Sequence, residues 1–219
     1  METITPLISP SVINLQYQTT WDDYLKFRDS EDIEGIFFNQ GTLWLNMNNE
    51  GMNHATINDL FIGLISFWFI HKQPEQIFST FGRCLLEKPP HGAAAPDLVL
   101  YLGENYPTWT AGTSRYINLN ESRIPELVGE ISDTTIAIDL DEKKHLYADL
   151  GIPEYWVIDV LAKRAIAFEL NPQGFYQECE ESLALKGLKI DLLSQVLSQL
   201  TTGTNGSATA WFFQQINNL

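Results

Sequence analysis

LVGEISDTTIAIDLDEKKHLYADLGIPEYWVID, residues 127–159, holds a short apolar run, a polar turn, an amphipathic segment and a run of β-formers. Residues 127–132 are too apolar and too few for anything but a strand, and alternation puts Val128, Glu130 and Ser132 on one face. A carboxylate therefore points where a valine points. It needs a cation or a proton there, because desolvating an unpaired carboxylate costs several kcal/mol. Asp133, Thr134 and Thr135 then offer side-chain oxygens able to cap a helix start.

The spacing predicts a helix over residues 139–150. Leu146, Tyr147 and Leu150 follow Lys143 by three, four and seven residues, so Lys143 shares their inward stripe, while Lys144 falls toward solvent. Gly151 ends the helix, Pro153 prevents its resumption, and EYWVIDV (154–160) predicts a second strand. An acid in a strand and a lysine on a helix thus converge on one region.

Working outward, GIFFNQGTLWL (35–45) is a hairpin pattern around Asn39, Gln40 and Gly41, preceded by a Pro-containing arm and a short helix near residues 21–28. A helix apolar almost all round runs from about 54 to 71; its Phe67, Trp68 and Phe69 read as core. Residues 77–86 and 97–102 read as strands, and 103–126 as loop. Beyond the central stretch, 165–170 and 174–179 form a hairpin around NPQG, 190–200 a helix, TTGTNGSATA (201–210) a flexible spacer, and Trp211, Phe212 and Phe213 a final short helix. The order helix, strand, strand, strand, helix, strand is an α/β plan with a mixed central sheet. The expected division is an arm with a short helix (1–30), one domain (31–200), and a spacer with an aromatic helix (201–219).

The chain has 219 residues, 44% of them apolar and 12% aromatic, enough for a sizeable core. Thirteen basic against 28 acidic residues give a net charge of −15, which argues against a broad electrostatic grip on DNA or an anionic membrane. Cys84 and Cys179 stand far apart with no partner at metal-ligand spacing, so reduced thiols and a cytoplasmic location are expected. METITPLISP lacks a signal-peptide pattern, and the run LFIGLISFWFI (60–70) is too short to span a bilayer.

Asp97 opens one predicted strand and Glu130 lies inside the next. Two acids near one end of adjacent strands make an oxygen-rich site of the kind Mg²⁺ prefers, to which the Ile131 carbonyl can add a ligand. Lys143 would stand beside such an ion and hold or polarise a water.

The set Pro96-Asp97, Glu130 with Ile131, Asp139, Lys143, Tyr147 and GIPEYWVID resembles the Uma2 family (DUF820) of restriction-endonuclease-like proteins, within the PD-(D/E)XK nuclease superfamily and of the cyanobacterial type. The resemblance spans residues 35–178 and extends to the hairpin and to His54. It implies a restriction-endonuclease-like core, αβββαβ, with an added N-terminal hairpin and a C-terminal hairpin and helices. It also implies a phosphodiester hydrolase acting on DNA: Asp97, Glu130 and the Ile131 carbonyl bind Mg²⁺ or Mn²⁺, and Lys143 orients the attacking water and offsets charge on the phosphate. His54, Asp139 and Ser132 are accessory positions. The superfamily's usual lysine position, two residues after the strand acid, is Ser132 here, and the lysine has moved to the helix.

Each assignment has a structural competitor. Asp97 can cap a turn, Glu130 and Lys143 can form a buried salt bridge without a metal, and His54 can cap or pack. Asp139, four residues before Lys143, reads as a helix ion pair in preference to a ligand. His71, His91 and His145 read as structural. Two other functions fit the same residues: a binding or scaffold protein that kept a nuclease fold without turnover, and a hydrolase of small phosphodiesters or nucleotides. The apolar tail suggests a homodimer in which it packs on a partner subunit.

Overall fold

The computed structural model describes residues 14–29, 35–46, 51–108, 110–112 and 115–218; of the arm expected before the short helix, residues 1–13 lie outside them, and 14–18 form a strand. β1 (Asn14–Gln18) leads into helix α1 (Trp21–Arg28), whose N-cap Thr20 accepts the amide N–H of Asp23. The hairpin strands β2 (Ile36–Asn39) and β3 (Thr42–Asn46) turn on Gln40 and Gly41, both at positive φ (44° and 87°), as a two-residue turn matched to strand twist demands. Helix α2 (Met52–Lys72) buries Ile57, Leu60, Phe61, Leu64, Ile65, Trp68 and Phe69.

Residues 77–86 form two strands, not one. β4 (Phe78–Phe81) and β5 (Leu85–Lys88) are parted by Gly82 and by Arg83, whose backbone has φ 57°, and they join different sheets. β6 (Gly92–Ala94) and β7 (Leu98–Leu102) follow, and the stretch expected as loop contains β8 (Tyr116–Asn118). β9 (Leu127–Ser132) is buried along its whole length. The helix expected over 139–150 is two pieces, α3 (Ile136–Leu140) and α4 (Glu142–Leu150), broken where Asp141 takes φ −121° and ψ −82°. Thr135 does not cap α3, since its hydroxyl goes to Asp139. Gly151 closes α4 at φ 80°, the left-handed position that favours glycine. β10 (Glu154–Asp159), β11 (Arg164–Leu170), β12 (Tyr176–Cys179), α5 (Ile190–Gln199) and α6 (Asn205–Ile216) complete the chain.

Among the described residues these strands form two six-stranded mixed sheets. One runs β12-β11-β10-β9-β7-β4, with β9 and β10 parallel across the α3/α4 connection and its other neighbours antiparallel. It contains the expected αβββαβ order as α2, β4, β7, β9, α4 and β10. The other, β1-β3-β2-β6-β5-β8, enlarges the predicted N-terminal hairpin with short strands from three later stretches.

The first sheet has helices on one face, where Leu127, Ile131, Trp156 and Ile158 meet α2, α5 and α6. On its other face Val128, Tyr155 and Val157 meet Leu146, Tyr147 and Leu150 of α4 and Leu86, Ala94 and Ile117 of the second sheet. α1 covers the far side of the second sheet through Tyr24, Phe38 and Leu43. Tyr24 and Arg28 both donate to the buried carboxylate of Glu87 on β5, which anchors α1.

The expected spacer over 201–210 is largely α6, which begins at Asn205 behind a capping box of Thr204 and Ser207. Phe212 is fully buried in the chain's own core, with Trp211 and Phe213 packed against it. The tail therefore supplies no reason for a partner subunit. Lys144, expected on the solvated face, places its ammonium 4.0 Å from the centre of the Phe168 ring. Among the described residues no helix is long and apolar enough to cross a membrane.

Candidate active site

The register that pairs Leu98 of β7 with Gly129 of β9 brings Asp97, one residue before β7, opposite Glu130. Asp97 is tied in place by two donors to one oxygen. Its Oδ2 accepts the Ile131 N–H at 2.8 Å and lies 2.9 Å from His54 Nε2, in the first turn of α2. Its Oδ1 faces Arg83 Nε at 3.8 Å. Arg83 is about half exposed, and its N–H donates to the Pro96 carbonyl at 3.1 Å, so the β4–β5 turn is pinned beside Asp97.

Glu130 meets α4. Lys143 Nζ lies 2.9 Å from Glu130 Oε2, and the Tyr147 hydroxyl donates to Oε1. The same ammonium is 3.1 Å from Asp139 Oδ1. Asp139 Oδ2 accepts the hydroxyls of Ser132 at 2.5 Å and Thr135 at 2.6 Å, and Tyr155 donates to the Asp139 carbonyl at 2.9 Å. The alternation of β9 explains the meeting: Glu130 and Ser132 share a face, so one reaches Lys143 directly and the other reaches it through Asp139. The Lys143 side chain is 18% exposed against 4% for Glu130 and 1% for Asp139, so the cluster opens to solvent at the lysine end.

Charge and burial are in conflict here. The Glu130 carboxyl is pushed up to about 8, by burial first and by Asp97 and Asp139, against the pull of Lys143. Burial also works against the Lys143 ammonium, but Asp139 and Glu130 outweigh it and hold the group above its ordinary range. His54 is raised in the same way, burial being outweighed by Asp97. Burial holds the Tyr147 hydroxyl far above its ordinary value, so it stays a donor.

Three buried carboxylates thus face one ammonium, one imidazole and, at 3.8 Å from Asp97, one guanidinium, and the donors are the hard oxygens a divalent cation of the magnesium type takes. Among the described residues no three His, Cys, Asp or Glu side chains lie at metal-ligating separations. The Lys143 ammonium stands between Glu130 and Asp139, at 2.9 and 3.1 Å. The donor chemistry fits such a cation, with the lysine drawn into the cluster as the local positive charge.

Every residue picked from the sequence, Asp97, Glu130, Ile131, Ser132, Asp139, Lys143 and His54, falls in or beside this cluster. Sequence reading missed three. Tyr147 stands on the inward stripe and in the quoted set without a role of its own, although its spacing of four from Lys143 also brings it to Glu130. Thr135 reads as a cap in the sequence, and Arg83 carries no signal there: it is a lone arginine in a run expected as strand.

The model of the Uma2 family, described as "Putative restriction endonuclease", matches residues 21–203 of this chain. No curated protein matches it. A solved structure, described as a "putative nuclease belonging to DUF820" from Anabaena variabilis, superposes with a TM-score of 0.53 at 14% identity, covering 88% of this chain and 98% of that one. At that identity the likeness shows the fold.

Proposed function

The chain belongs to the Uma2 family, and from that premise we propose that it is an endonuclease dependent on Mg²⁺ or Mn²⁺ that hydrolyses phosphodiester bonds of DNA. The observation that carries the reading is Lys143, a part-buried ammonium 2.9 Å from Glu130 at the solvent-facing end of a cluster that also holds Asp97. Asp97, Glu130 and the Ile131 carbonyl are the residues that would hold the ion. The chemistry such an ion supplies when bound is a water of lowered pKa and positive charge against the phosphate oxygens.

The remaining work falls to side chains. Lys143 donates to the attacking water and offsets charge on the scissile phosphate, in a pocket where low dielectric strengthens that contact. Tyr147 fixes the rotamer of Glu130, and His54 with the Ile131 N–H fixes that of Asp97. Arg83, at the mouth, meets the neighbouring phosphate. Metal-dependent nicking of a plasmid, compared between wild type and Lys143→Ala, tests the reading. The variant should lose on the order of 10²-fold in rate, and equal nicking by both proteins overturns it.

The net charge of −15 favours a second substrate class, small phosphodiesters or nucleotides, for which steering by the whole surface matters less. Cleavage of a nucleotide model ester with no cutting of supercoiled, linear or single-stranded DNA selects it.

A further inference from the structure

Lys143 is shared between two carboxylates that are built differently. Glu130 offers Oε2 to the ammonium and Oε1 to Tyr147. Asp139 offers Oδ1 to the ammonium, while its Oδ2 is clamped by the hydroxyls of Ser132, at the end of β9, and Thr135, just before α3. Two short hydroxyl bonds and a backbone turn leave that carboxylate one orientation. Only Glu130 is in a position to join Asp97 around a cation, because Asp97 lies opposite it in the sheet. A cation arriving there competes with the lysine for Glu130, since two positive charges cannot share one carboxylate in a buried pocket without strong repulsion.

We propose that Asp139, clamped by Ser132 and Thr135, is the seat onto which the Lys143 ammonium withdraws when a divalent cation takes Glu130. Asp139 is thus a positioning residue that acts through Lys143. The seat keeps the ammonium charged, buried and one short movement from its present place, so metal binding does not expel it into solvent. This deepens the metal-dependent reading above and rests on it.

A double-mutant cycle tests the seat without any cleavage assay. Titration calorimetry with Mn²⁺ alone would be run on wild type, Asp139→Asn, Lys143→Met and the double variant, with circular dichroism to confirm each fold. Without the seat, Lys143 stays on Glu130 and opposes the ion, so Asp139→Asn should weaken Mn²⁺ binding roughly tenfold. Lys143→Met should tighten it. In the Lys143→Met background most of the loss caused by Asp139→Asn should disappear, because the residue that needed the seat is gone. Ser132→Ala removes one clamp and changes no charge. It should weaken binding a few-fold in wild type and not at all beside Lys143→Met, which keeps the test open should Asp139→Asn fail to fold.

Equal losses from Asp139→Asn and Ser132→Ala in both backgrounds overturn the seat and leave the metal reading standing, Asp139 then acting on the ion by its own charge. No heat with wild type overturns the metal reading and the seat together.

Discussion

Glu130 on β9 and Glu154 on β10 are both almost wholly buried, on neighbouring parallel strands, yet they face opposite sides of the sheet. Glu154 points with Trp156 and Ile158 toward α2, α5 and α6, and donors surround it. Its Oε1 accepts Trp156 Nε1 at 2.7 Å, and its Oε2 accepts the Ser182 hydroxyl at 3.1 Å and the Ala184 N–H at 2.7 Å. Glu130 points the other way, to an ammonium, a phenol and two further acids. Burial drives both carboxyls up, Glu154 to about 7 and Glu130 to about 8. The donors around Glu154 restrain the first, and the acids around Glu130 aggravate the second. A buried acid whose partners are fixed donors is finished as architecture. One whose partners include other acids is left short of positive charge, and that deficit is what singles out the β9 side as the site proposed for the chemistry.

The contrast predicts opposite tolerance to mutation. The largest effect belongs to Glu154→Leu, which strands the indole N–H, the Ser182 hydroxyl and the Ala184 N–H in a dry core. We expect a loss of about 3 kcal/mol or more in denaturant unfolding. A loss under about 1 kcal/mol, within the range of an ordinary surface change, would falsify the idea that these donors depend on the carboxylate.

Next in size is a pH effect. Glu154 titrates near 4.5 when unfolded and near 7 when folded, so between those values the folded chain binds more protons than the unfolded one. Stability from this group is fully present below pH 4.5 and is lost as pH rises through 7, by at most about 3 kcal/mol in all. The stability difference between wild type and Glu154→Gln should shrink over that interval. If it grows instead, the three donors hold Glu154 ionised against burial.

The two acids were not equally legible. Glu130 stands out in LVGEIS because alternation places it with Val128, and Lys143 follows from helical spacing alone; both are local rules. Glu154, inside EYWVID, reads as one polar residue at a strand end, and its partners Ser182 and Ala184 are 28 and 30 residues away. The second sheet escaped for the same reason. Gly92–Ala94 and Tyr116–Asn118 are three-residue strands too short to show a period; the first is held by its neighbour β5 and by distant β2, the second by distant β5. The break at Arg83 hid inside an apolar run, and α6 hid behind Thr204, Asn205, Gly206 and Ser207, residues that serve turns and helix caps alike. Asp139 lay between these cases. Its ion pair with Lys143 followed from spacing, while its hydroxyl clamp needed the β9–α3 turn.

Tyr147→Phe sharpens the comparison from the other side. It removes one donor to Glu130 without opening a cavity, so we expect about 1 kcal/mol lost in thermal unfolding. Cleavage should fall more than stability does, because Glu130 would then be free to turn with Lys143. An unchanged cleavage rate would leave the Glu130 orientation to Lys143 alone.

The smallest stability effect is expected for Glu130→Gln, and it separates the two acids most sharply, because the same isosteric change can be made at both. At Glu154 the new amide nitrogen must face the indole, hydroxyl or backbone donor that the carboxylate accepted, and no term offsets the clash. At Glu130 the amide oxygen can still accept the Tyr147 hydroxyl, and Lys143 keeps Asp139 at 3.1 Å when it loses Glu130. Losing one ion pair is opposed by relief of burying a carboxylate among other acids, so the net change should stay within about 1 kcal/mol. Metal-dependent cleavage by the same variant should vanish. A Glu130→Gln protein that unfolds as readily as Glu154→Gln would place Glu130 among the structural acids and remove the distinction on which the site rests.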